Sequence, residues 1–102
     1  MKASFFKPLS NILEADGKTI ICDFKPKYIV LADRKYNNNS GTIENTYDAN
    51  DGNVYAQDWN GTVYTNISIG SGQQFEEILP NGVKLGSAGS YSSTNTIFIA
   101  VG

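Results

Sequence analysis

Turn signals recur along this chain at intervals too short for ordinary helices, and that punctuation limits what it can build. Asp16-Gly17, Lys25-Pro26-Lys27, the Asn-rich stretch 37–41, the stretch 48–53, Asn60-Gly61, Gly70-Ser71-Gly72 and Pro80-Asn81-Gly82 all favour turns. Glycine and asparagine accept positive φ, and proline fixes φ and removes a donor. Between these signals lie short runs of β-formers: 19–24, 28–32, 42–47, 54–56, 62–69, 75–79, 83–85 and 96–101. About eight short strands in such a series predict an all-β fold, a compact β-sandwich of jelly-roll-like arrangement.

Individual runs carry further expectations. Pro26 cannot donate to a ladder, so one strand ends before it and Tyr28 opens the next. The near-continuous apolarity of 28–32 predicts burial on both faces, and that of 96–101 a central, buried final strand. Over 62–69 the pattern alternates, placing Val63, Thr65, Ile67 and Ile69 on one face and Tyr64, Asn66 and Ser68 on the other.

Residues 1–15 differ in character from residues 16–102. Phe5, Phe6, Leu9, Ile12 and Leu13 are spaced partly like a helical stripe, but Pro8 falls in its middle and would remove a backbone donor. An extended or partly helical N-terminal arm is expected, and its apolar residues would want a partner surface. Residues 1–15 are accordingly read as an attachment arm and 16–102 as the sandwich domain.

With 102 residues the chain holds one core. Its net charge of -2 and eight scattered Lys and Arg residues argue against a nucleic-acid partner. No run approaches the roughly 20 apolar residues of a membrane span, and the N-terminus lacks the apolar core of a signal peptide, so folding in the cytoplasm is expected. The Asn-x-Ser/Thr matches at Asn38, Asn60 and Asn66 carry little weight without a secretory signal.

The inventory for catalysis is poor. Histidine is absent, which removes the commonest general base, zinc ligand and triad member. The single cysteine, Cys22, sits in an apolar run and is expected to be a buried small hydrophobe. Most of the ten acidic residues fall in expected turns or at strand ends, where short carboxylates shape the backbone, so a glycosidase-type pair is the minority reading. The run 48–53 offers Asp48, Asn50 and Asp51 before Gly52, but its register is not that of a calcium loop, because Gly is fifth and position twelve is Trp59. A plain turn is favoured there, and no enzyme activity, cofactor or metal is expected. Tyr55, Asp58, Trp59, Asn60 and Tyr64 flank one expected hairpin and would make a ligand-binding patch, unless Trp59 plugs the core.

Two segments together resemble a family of small β-domains in bacteriophage virion proteins, found in head fibres, tail fibres and related appendages. The first runs from Gly17 through Asp23-Phe24-Lys25-Pro26-Lys27 to Val30 and is similar to the family's strand, Gly-Phe-x-Pro-Lys turn and apolar strand. The second, Ile78-Leu79-Pro80-Asn81-Gly82-Val83-Lys84-Leu85-Gly86 followed by Ile97-Phe98-Ile99-Ala100-Val101-Gly102, resembles its Asp-Gly-Phe turn, short strand, variable loop and Tyr-Ile-Ala-Phe-Gly-like terminal strand. Asp23 stands where the family usually has glycine, Val83 where it has an aromatic residue, and Phe98 where it has tyrosine. The resemblance implies a β-sandwich on a phage particle, commonly a homo-oligomer such as a trimer, and carries over no functional residue. Expected is a virion structural protein, capsid-decorating, head-fibre or small tail component, with other virion proteins as partners. The alternative is a receptor- or carbohydrate-binding module of a tail fibre that recognises a host-surface glycan.

Overall fold

Each β-former run between two turn signals becomes a strand. The structure is a computed structural model that describes residues 5–8, 12–33, 42–58, 61–86 and 96–102. Its strands are β1 (Phe5–Pro8), β2 (Thr19–Ile21), β3 (Tyr28–Asp33), β4 (Thr42–Asp48), β5 (Asn53–Asp58), β6 (Val63–Ile67), β7 (Phe75–Leu79), β8 (Gly82–Leu85) and β9 (Thr96–Val101). No helix among the described residues is long and apolar enough to cross a membrane.

The strands form two wholly antiparallel sheets. One has six strands in the order β1-β9-β3-β4-β5-β6, and the other three in the order β2-β8-β7. Strands β3 to β6 follow one another as a meander, with β9 returning beside β3 and β1 closing that edge. Register makes the pleat explicit. Ala100, Ile29, Tyr47 and Val54 are successive cross-strand partners in one row of the large sheet, and Phe98, Leu31, Asn45 and Ala56 in a second. Both rows are buried. Their Ala100, Ile29, Tyr47, Val54, Phe98 and Leu31 form one apolar cluster with Ile20, Val83, Leu85 and Phe75 of the small sheet, and Cys22 joins them from beyond the end of β2. The chain is therefore a β-sandwich, as its turn spacing predicts, and each fully buried Phe, Leu, Ile or Val contributes about 1.5–3 kcal/mol.

Three expectations are corrected. The first strand ends at Ile21 rather than Phe24, because Asp23 adopts φ +65° and turns the chain away from the ladder. Strand β3 is fully buried on one face only: Ile29 and Leu31 point inward, whereas Val30 and Ala32 are half-buried and Tyr28 is 42% exposed. The run 62–69 does not keep one face. Gln57 pairs with Val63 but Val54 pairs with Ile67, with a register shift between, so these two β6 positions fall in rows of opposite faces and Val63 is 57% exposed.

Candidate functional site

The segment linking β2 to β3 must carry the chain from one sheet to the other, and it is held at both ends. On the small-sheet side the N–H groups of Cys22 and Asp23 both donate to the carbonyl of Asn81 in the β7–β8 turn, at 2.9 and 3.2 Å. Two consecutive N–H groups reach one acceptor as the backbone takes the left-handed conformation of Asp23. Pro26 is fully buried, and on the large-sheet side the Lys27 N–H donates to the Val101 carbonyl at 2.8 Å. The Phe24 ring lies so close to Gly102 that a Cβ there would stand 2.3 Å from it. Gly82 is equally hemmed in, since a Cβ would come within 2.0 Å of the Ile20 carbonyl oxygen. Thus Asp23 to Lys27, Asn81-Gly82 and Val101-Gly102 meet in one corner, where strand β2 pairs β8 and strand β3 pairs β9.

The described N-terminal residues, Phe5–Pro8 and Ile12–Leu13, pack with the sandwich. Phe5 to Pro8 pair with Ala100 to Ile97 as β1, the extended alternative for this segment, and cover the outer edge of β9. Leu13 bridges Ile20, the Glu14 N–H donates to the Thr19 carbonyl at 2.8 Å, and Ile12 and Leu13 pack half-buried on the core. Leu9 lies outside the described residues. Beside β1, the outer face of the large sheet carries half-buried Val30, Ala32, Ile97, Ile99 and Val101 with exposed Tyr28, an apolar strip over β3 and β9.

Of the hairpin aromatics, Tyr55 and Tyr64 hold described register positions. Tyr55 is the partner of Thr46 on the outer face, whereas Tyr64 is the partner of buried Ala56, a core-facing register position. Asp58 ends β5, and Trp59 and Asn60 lie outside the described residues. The Tyr55 hydroxyl donates to Asp51, which holds the Asp51 carboxyl below the usual carboxylate range and pushes the Tyr55 phenol up.

Three carboxylates and the thiol are engaged by the fold itself. In the 48–53 turn, Asp48 accepts from the Asn50 N–H at 2.9 Å and Asp51 from the Asn53 N–H at 3.0 Å, so both carboxylates brace backbone. Asp16 does the same for the N–H groups of Lys18 and Thr19 and also accepts from the Thr19 hydroxyl, which lowers its pKa to about 2. Cys22 is 7% exposed, its thiol donates to the Phe24 carbonyl at 3.4 Å, and burial pushes its pKa up, away from the thiolate a nucleophile needs. Among the described residues no three His, Cys, Asp or Glu side chains converge as a metal site. Sequence reasoning missed the corner, since neither Asp23 φ nor the contacts of Gly82 and Gly102 are written in any short pattern. No family model, curated protein or solved structure matches this chain.

Proposed function

We propose that this chain is a non-catalytic structural component of a bacteriophage particle, a capsid-decorating, head-fibre or small tail protein that assembles with other virion proteins and with copies of itself. The observation that carries the reading is the corner. Two segments far apart in sequence resemble one family, and here they are sheet neighbours that clasp the same crossover. Asp23 replaces the family's usual glycine at a position with φ +65°, where glycine is the least strained residue. The shared residues therefore answer to one steric requirement, as residues that determine a fold do. The roles of Asp16, Asp48 and Asp51 in bracing backbone and of Cys22 in filling core support a part that builds rather than catalyses.

The N-terminal segment and the apolar strip beside it are the proposed assembly contacts. A glycan-binding role is less well supported, because Tyr55 and Tyr64 take register positions on opposite faces. To test the reading, particles released on lysis of cells expressing a tagged copy with its neighbouring genes would be banded by density and their proteins identified. The chain should co-band at a stoichiometry comparable to other minor virion proteins, and its confinement to the soluble lysate would contradict the proposal.

A further inference from the structure

The β7–β8 turn is drawn tight. Leu79 and Gly82 are register partners across Pro80-Asn81, and Gly82 pairs on its other side with Ile21, because β8 is the central strand of the small sheet. The Asn81 carbonyl accepts from the N–H groups of Cys22 and Asp23 at 2.9 and 3.2 Å, so this one residue fastens the start of the crossover between the sheets. Asn81 itself is exposed.

Asparagine before glycine is the pairing most prone to attack on its own side chain. With no Cβ to screen it, the glycine nitrogen can approach the asparagine Cγ and close a five-membered ring. The fold cannot escape this pairing by placing another residue after Asn81. A Cβ at Gly82 would stand 2.0 Å from the Ile20 carbonyl oxygen and 3.1 Å from the Ile21 Cα, so the corner requires glycine.

We propose that Asn81 is a latent self-modification site, closed while the β8 ladder holds Gly82, and that its conversion to isoaspartate unfastens the corner between the sheets. The Gly82 nitrogen loses its proton and bonds to Asn81 Cγ, and the side-chain nitrogen takes up a proton and leaves as ammonia. Water then opens the succinimide. Addition at Cγ gives aspartate. Addition at the former main-chain carbonyl gives isoaspartate, in which the main chain runs through Cβ and Cγ and the old carbonyl carbon becomes a free carboxylate. One water is consumed and one ammonia released, with no change of oxidation state. Cys22 and Asp23 thereby lose their main-chain acceptor, and the turn grows by one backbone atom. Gly82 has no slack to absorb that atom, since the backbone of Ile20 and Ile21 already lies against it. The same ladder gives protection: a nitrogen fixed between Leu79 and Ile21 reacts only through local opening of the turn.

The chain has two Asn-Gly pairs, so the test uses the full-length Asn60→Gln variant, which leaves Asn81-Gly82 alone. The protein would be held at mildly alkaline pH with and without denaturing guanidinium chloride. Peptide mapping with fragmentation that separates isoaspartate from aspartate would follow position 81. Conversion should be at least about tenfold slower in the folded chain, the ratio reporting how rarely the turn opens. After the denaturant is removed, the isoaspartate form should unfold at a lower denaturant midpoint than chains of the same sample that kept Asn81. Asn81→Asp adds the charge without the extra backbone atom and should keep a midpoint near that of the Asn81 chain. Equal rates in the folded and unfolded chain overturn the proposal, as does an isoaspartate form with an unchanged midpoint. Absence of conversion in denaturant overturns it too, and so does an Asn81→Asp variant destabilised as much as the isoaspartate form.

Discussion

Asp23 and Gly82 meet at the corner between the sheets and make opposite demands on a side chain. Asp23 occupies the left-handed region at φ +65°, which costs most L-residues about 1–2 kcal/mol and aspartate less. Gly82 has an ordinary φ but no space, because a Cβ would lie 2.0 Å from the Ile20 carbonyl oxygen and 3.1 Å from the Ile21 Cα, both backbone. Asp23→Gly should therefore stabilise the fold by about 0.5 kcal/mol, the relief of strain exceeding the added freedom of the unfolded chain. Gly82→Ala should destabilise it by about 3 kcal/mol, since the β2–β8 ladder must part to admit the methyl group. Urea midpoints at unchanged slope would measure both. A neutral Gly82→Ala or a destabilising Asp23→Gly would contradict the account of this corner.

The elements were legible where one local preference decided them. Tyr28–Asp33, Phe75–Leu79 and Thr96–Val101 begin and end within a residue of where β-formers give way to turn residues. Strand β4 was harder to read because Asn45 occupies a core position between Leu31 and Ala56, 3% exposed and with its Oδ1 unpartnered, so the alternation is weak where burial is deepest. The change of face along β6 was not legible at all, since a register shift depends on the partner strand. The turn before β2 also makes a prediction. Hydrogen bonds from the Thr19 hydroxyl and from the Lys18 and Thr19 backbone N–H groups hold Asp16 at about 2, below its ordinary 3.8. A lowered native pKa means that its stabilisation is present above about pH 4 and is lost as the pH falls towards about 2. The Asp16→Asn variant should show a shallower loss of thermal stability than the parent between those values. Parallel curves would show that the turn does not depend on the charge.

At the scale of the molecule, turn spacing was enough to indicate a sandwich, but not how its sheets divide. Only pairings distant in sequence place β9 beside β3 and β8 beside β2. The candidate contacts divided in the same way. An apolar N-terminal segment was visible in the order of residues, whereas its role as the strand that covers β9 is a property of the assembled sheet. The molecule is a small sandwich in which Asp16, Asp48 and Asp51 brace backbone turns and the Cys22 thiol lies in the core. The claim that it builds a phage particle is tested most directly by a cryo-electron microscopy reconstruction of that particle. The account predicts density for a sandwich of six- and three-stranded sheets seated against another virion subunit through the β1–β9 edge. A particle of full composition with no such sandwich in or on it would contradict the account.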